Sequence, residues 1–278
     1  MDNWRLQNIE KLITISKITK KGEYINNDGE KVKLGTRPKS EYVDFLHITL
    51  GDMVDYMHRN CKSTGHAKKS IVRIEDNDSL SYAIKYYDTF KSTPLLLNFA
   101  NPYTPGGGVR KGCIAQEEDL CRRTDLLYHI ENDNQARKYY KINRRERAYS
   151  DLYLRGIITK DISVIVDSNG ALLKKPITVD VFTVAAPIQK TKEMNKTSIM
   201  GIDALCGAII DTASFKGYTD IILGAFGCGA FGNDPKVVSK SFKYYLDKYS
   251  FNSVGFPILT KTKNDKCNLE AFTNVFKC

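Results

Sequence analysis

The spacing of apolar positions changes character near residue 70. Upstream, Leu6, Ile9, Leu12, Ile13 and Ser16 recur at helical intervals and predict one amphipathic docking helix. Tyr24 to Val32 reads as two short extended runs around Asp28-Gly29, a hairpin signal. From Gly35 to His66 the pattern is irregular, apart from a short helix predicted around Met53 to Cys61. Downstream, Ser70 to Ile74 reads as a strand. Asp78 to Phe90 reads as a helix with Leu80, Ala83, Ile84 and Tyr87 on one face, and Pro94 to Ala100 as a buried strand. The pattern resumes with a strand from Thr178 to Val184, a helix from Ile199 to Phe215 and a strand from Asp220 to Ala225. A helix from Pro235 to Tyr249 and a strand from Ser253 to Leu259 follow. Strands alternating with helices predict a three-layer α/β/α sandwich on a mixed, largely parallel sheet. Residues 1–70 are then an accessory extension packed on a core domain of residues 71–278.

Composition narrows the class. Hydrophobic residues at 42% and charged residues at 27% exclude collagen-like, low-complexity and wholly disordered chains. The longest apolar stretches, Val181 to Ile188 and Ile221 to Phe226, fall far short of the ~20 residues that span a bilayer. No membrane partner is expected, and the charged start Asp2-Asn3-Trp4-Arg5 does not resemble a secretory leader, so the expected location is cytoplasmic. Seven widely spaced cysteines without a C-x-x-C pair argue against a disulfide framework and a zinc ribbon. Cys61 and His66 would make half a metal site with no further ligands at matching spacing, so no metal is expected. The net charge of +10 is compatible with a polyanionic partner. Its densest run is Arg137, Lys138, Lys141, Arg144, Arg145 and Arg147, interleaved with Tyr139, Tyr140 and Tyr149. A solvated helix face is the simpler account of that run, and direct nucleic-acid binding stays open.

Two glycine-rich loops sit where α/β sheets bind ligands, after the C-terminal ends of strands. The first, Asn101 to Val109, contains Gly106-Gly107-Gly108, whose backbone cost implies close approach to something or positive φ. The second runs from Gly224 to Pro235, with Asp234 as N-cap and Pro235 in the first turn of the next helix, an arrangement suited to a phosphate or diphosphate. Gly227 to Gly232 also spells G-x-G-x-x-G, but too near the C-terminus for a first β-α turn, which disfavours a dinucleotide-dependent dehydrogenase. No P-loop pattern occurs. Gln116-Glu117-Glu118-Asp119 opens a helix seven residues past the triple glycine, with Leu120, Leu127 and Tyr128 expected to pack inward. Adjacent helical residues project about 100° apart. Glu117 and Glu118 therefore divide the work: one acts as acid or base, while the other bonds a sugar hydroxyl or braces the loop.

Gly106-Gly107-Gly108, seven residues, then Gln116-Glu117-Glu118 resembles the signature of poly(ADP-ribose) glycohydrolases, which are built on a macrodomain. Asn98-Phe99-Ala100-Asn101-Pro102, Leu120-Cys121-Arg122, Tyr139-Tyr140, Tyr149-Ser150-Asp151 and the late glycine loop look like the compact microbial branch. The resemblance implies that Glu118 is the catalytic acid/base and Glu117 its ribose-binding neighbour. It implies that Asn101 and Gln116 hold the distal ribose and position the glutamates. Gly106, Gly107, Gly108 and Val109 would line the diphosphate and distal ribose. Gly227, Cys228, Gly229 and Ala230 would wrap the diphosphate, with Phe231 against the ribose. Phe256 and Phe272 are the aromatic candidates for adenine stacking. The substrate would be poly(ADP-ribose) or an ADP-ribosylated macromolecule, the product ADP-ribose, and no cofactor is called for. Protonation of Glu118 near neutral pH needs a raised pKa; burial, the adjacent Glu117 and the bound diphosphate would push that way, and the helix N-terminus would push back. The alternatives are a hydrolase of single ADP-ribose groups and a macrodomain that binds ADP-ribose without cleaving it.

Overall fold

A computed structural model describes residues 2–35, 39–45, 70–147, 152–189, 191 and 193–277. The helix expected near Met53 to Cys61, the Cys61–His66 pair and Tyr149-Ser150-Asp151 lie outside the described residues. The chain divides into two units, neither contiguous in sequence. The first comprises Met1–Val43, Leu80–Tyr149 and Gly156–Ala185; the second comprises Asp44–Ser79, Ser150–Arg155 and Ala186–Cys278. The N-terminal segment thus belongs to the same unit as both the triple glycine and the glutamate pair.

In the first unit, α1 (Asn3–Lys21) ends on Gly22 in the left-handed region and feeds the hairpin β1 (Glu23–Ile25) and β2 (Lys31–Lys33), as the Asp28-Gly29 signal predicts. The buried line of α1 is Leu12, Ile15 and Thr19, whereas Leu6 and Ile13 are exposed, so the true stripe is rotated from the expected one. Ile15 packs with Tyr24 and Ile165, and Asn8 Nδ2 donates to Gly112 O at 3.2 Å, placing α1 against the loop that precedes the glutamates. After β3 (Ser40–Asp44) and α2 (Ser79–Phe90), β5 (Leu95–Phe99) pairs in parallel with β7 (Leu172–Val184). Strand β6 (Arg155–Val166) pairs antiparallel with β7. Three helices lie between β5 and β6: α3 (Gln116–Arg123), α4 (Leu126–Asn132) and α5 (Asn134–Glu146). The expected continuous helix is broken at Thr124, which bridges to Val164. Leu120 and Leu127 are buried as expected, while Tyr128 is half-buried.

In the second unit, β4 (Ile71–Glu75) and β8 (Asp220–Ile222) each pair in parallel with β9 (Ser253–Pro257). Helix α6 (Lys196–Phe215) is capped by Asn195, α7 (Pro235–Leu246) by Asp234, and α8 (Lys263–Phe276) by a Thr262–Asp265 capping box. By length and composition α6 is apolar enough to cross a membrane, a feature the count of uninterrupted apolar residues missed. Its residues Gly201 to Ile210 are all buried, which is the character of a core helix.

Within that core Asp203 is 1% exposed and accepts from Ser241 Oγ at 2.5 Å and Tyr245 Oη at 3.1 Å, joining α6 to α7. Asp203→Ala removes the acceptor shared by two buried hydroxyls and is expected to lower the unfolding free energy by about 3 kcal/mol, read by urea titration of far-UV circular dichroism.

Candidate active site

Three consecutive side chains at the start of α3 bond three different pieces of backbone. Gln116 Nε2 donates to Leu97 O at 2.7 Å and Gln116 Oε1 accepts from Phe99 N at 2.9 Å, fastening α3 to the end of β5. Glu117 Oε2 accepts from Asn101 N at 2.6 Å and its Oε1 from Gly106 N at 3.2 Å, clamping both ends of the loop between them. Glu118 Oε1 accepts from Gly108 N at 2.8 Å. The acidic first turn is therefore more than a complement to the helix dipole. Of the roles left open for the pair, bracing the loop falls to Glu117.

The loop itself is a tight turn. Asn101 Oδ1 accepts from Tyr103 N and Thr104 N, and Gly107 N donates to Thr104 O at 2.9 Å. Gly107 has φ +54, and a Cβ there would lie 2.7 Å from Glu118 Oε1 and 3.0 Å from Glu117 Oε2. The carboxylates thus press on backbone that only glycine leaves bare. Val109, expected to line the ligand, is fully buried beneath the loop. From below, Asn143 Nδ2 donates to Pro102 O at 2.9 Å, and Arg122 donates to Cys113 O, closing the segment between glycines and glutamates.

Both glutamates are buried, Glu117 to 2% exposure and Glu118 to 8%. Burial pushes the Glu117 carboxyl up from 4.5 to about 8, and the adjacent Glu118 adds to the rise. The amides of Asn101 and Gly106 and the Asn98 side chain oppose it. The raised carboxyl is the deeper of the two. Hydrogen bonding separates the two differently from burial. Both Glu117 oxygens face donors, whereas Glu118 Oε2 is buried with no hydrogen-bond partner. Among the described residues, Glu118 Oε2 is thus the one oxygen of the four that no donor occupies, which leaves it open to a substrate atom. Behind Glu117 lies Tyr140, fully buried, its hydroxyl held well above its ordinary pKa chiefly by desolvation.

The second glycine loop lies in the other unit. Gly227 has φ +72, and Cys228 and Asn233 donate their amides to Ala225 O and Gly227 O. Asn233 Nδ2 donates to Pro187 O at 2.9 Å and Gly227 O at 3.0 Å, while its Oδ1 accepts from Gln189 Nε2. This latch was not foreseen; a single Asn before an N-cap carries no sequence signal of its own. Gly229 and Ala230 are exposed, Phe231 is half-buried, and burial pushes the Cys228 thiol upward. Asp234 caps α7 through Lys236 N at 2.8 Å. Phe256 and Phe272 do not serve as adenine platforms: both are fully buried and packed on one another, with Phe242 and Phe276 also against Phe256. No group of three or more potential metal ligands occurs among the described residues.

A buried carboxyl oxygen beside a cage of backbone amides, mounted where a strand ends, is the layout of an acid–base enzyme on an α/β scaffold. The chain belongs to the microbial-type PARG, catalytic domain family, whose model matches residues 14–165. In three dimensions it is similar to the poly(ADP-ribose) glycohydrolase (PARG) of Thermomonospora curvata, with TM-score 0.81 and 21% identity over 97% of this chain and 99% of that one. The T. curvata enzyme bound to the inhibitor ADP-HPD gives 0.80. The Deinococcus radiodurans enzyme in complex with ADP-ribose gives 0.71 at 25% identity, over 86% of this chain and 94% of that one. Curated proteins give no match to the sequence. The likeness confirms a mixed α/β fold with a mostly parallel central sheet flanked by helices.

Two outcomes follow from this geometry. Gly107→Ala is expected to leave the protein folded but lower kcat by about 100-fold, because the added methyl displaces Glu118 by the order of an ångström. The second concerns Glu117, whose pKa rises on folding. Its protonated form then contributes stability fully below pH 4.5, and that contribution is lost as pH rises toward about 8. Urea titrations between pH 5 and 9 should show wild type losing stability over this window relative to Glu117→Gln, which has no proton to release.

Proposed function

We propose that the chain hydrolyses the ribose–ribose O-glycosidic bonds of poly(ADP-ribose), releasing ADP-ribose, with Glu118 as the acid/base. The observation that carries this reading is the bare, buried Oε2 of Glu118, while Oε1 is fixed by Gly108 N. Protonated there, Glu118 gives its proton to the departing ribose hydroxyl as an oxocarbenium-like centre develops at the anomeric carbon. The resulting carboxylate then takes a proton from the attacking water, which closes the balance of the hydrolysis. The substrate's own diphosphate, close to the distal ribose, offsets the developing positive charge, so one glutamate suffices. Glu117 orders the loop and offers its remaining lone pairs to a ribose hydroxyl, with Asn101 and Gln116 setting the loop and the helix start. The amides around Gly106, Gly107 and Gly108, and those of Gly227 to Phe231, suit the diphosphate and riboses. The family match and the ADP-ribose complex of the D. radiodurans relative support this ligand. We regard the scaffold as a macrodomain. Cys113, Cys121, Cys206, Cys228 and Cys267 form no disulfide, which suits a reducing, cytoplasmic setting.

Incubation of wild type and Glu118→Gln with labelled poly(ADP-ribose), resolved by chromatography, tests the proposal. Wild type should release free ADP-ribose, and the variant should bind ADP-ribose yet turn over about 1,000-fold more slowly. An active variant overturns the assignment of Glu118. Binding without cleavage by either protein points to a reader or to a hydrolase of single ADP-ribose groups.

A further inference from the structure

Helix α5 (Asn134–Glu146) has a divided surface that the reaction does not explain. Ala136, Tyr139, Tyr140 and Asn143 are buried, and every basic residue from Arg137 to Arg147 is exposed. Six cations (Arg137, Lys138, Lys141, Arg144, Arg145, Arg147) accompany one acid, Glu146. Arg137, Lys141 and Arg145 follow one another at i, i+4 and i+8, a line about 12 Å long. Like charges at that spacing repel and weaken a helix, and a face serving solubility alone would alternate signs. Two neighbouring cations of the same helix end reach the catalytic loop. Arg144 Nη1 donates to Tyr103 O at 2.8 Å, and the Arg147 guanidinium lies 4.7 Å from the centre of the Tyr103 ring. Tyr103 falls within the very turn that Glu117 clamps at Asn101 and Gly106.

We infer that this cationic face is a track for the polymer, binding diphosphates of ADP-ribose units beyond the one being cleaved. Each unit brings two negative charges, and the track leads them to the loop that presents Glu118. The inference rests on the glycohydrolase reading, but its test does not need turnover. Glu118→Gln keeps the polymer intact, and in that background Arg137, Lys141 and Arg145 are changed together to Gln. None of the three belongs to the catalytic machinery, and glutamine preserves helix propensity.

Fluorescence anisotropy with labelled poly(ADP-ribose) of defined length, over a range of NaCl concentrations, is the measurement. The triple variant should bind long polymer about tenfold more weakly and show a slope of log K against log salt shallower by about 2, at roughly 0.7 per cation lost. Binding of monomeric ADP-ribose should stay within twofold, and the melting temperature should not fall. A charge-retaining control, Arg137→Lys with Lys141→Arg and Arg145→Lys, should restore polymer affinity. Unchanged affinity and slope in the Gln variant overturn the track. Equal affinity for an RNA of matched charge, lost equally in the variant, overturns the polymer as its partner. Failure of wild type to cleave would instead show as absent ADP-ribose release while the polymer still binds.

Discussion

The carboxylate of Glu117 accepts the amides of Asn101 and Gly106, and the shape of the surrounding backbone depends on those two bonds. A buried carboxylate is costly in a low-dielectric interior unless donors meet it, so the loop cannot open without exposing that cost. Gln116 and Glu118 extend the same logic in both directions, to β5 and to Gly108. Three adjacent residues of one helical turn thus register strand end, loop and reacting group against each other. Only Glu118 retains an oxygen without a donor, and that asymmetry distinguishes a structural carboxylate from a working one at neighbouring positions.

Each unit contributes one glycine-rich loop. Both glycine loops are held from behind by asparagines, Asn143 on Pro102 and Asn233 on Pro187 and Gly227. An asparagine amide satisfies loop carbonyls that have no partner in a strand or helix, and it does so without charge. These two asparagines are deeply placed, while the cations of α5 are exposed.

The α/β alternation was legible because β5, β7, α2, α6 and α7 carry strong periods or unbroken apolar runs. Strand β6 was not, since Arg155 to Val166 is buried along most of its length and interrupted by Lys160 and Asp161. Helix α8 was missed for the opposite reason: of its fourteen residues only Asn268, Ala271 and Phe272 are buried, which leaves little apolar stripe to read. In α1 the stripe was misplaced because its burial is set by Tyr24 and Ile165, contacts distant in sequence. At the site, glycine content and the paired glutamates announced themselves. Asn98, Asn143 and Asn233 did not, because one polar residue gains its meaning only from the carbonyls or carboxylates it reaches. Phe256 and Phe272 misled for a related reason, since aromatic rings serve cores and ligands equally well.

Strand β4 carries a consequence for how the chain is made. Its partner is β9, and the Arg73–Ser253 hydrogen bond joins residues 180 positions apart. During synthesis β4 emerges first and waits, its ladder to β9 unformed, until about 180 further residues have been made. Such long-range parallel pairing closes slowly, so the interval between the two strands is when this protein is most exposed to misassembly.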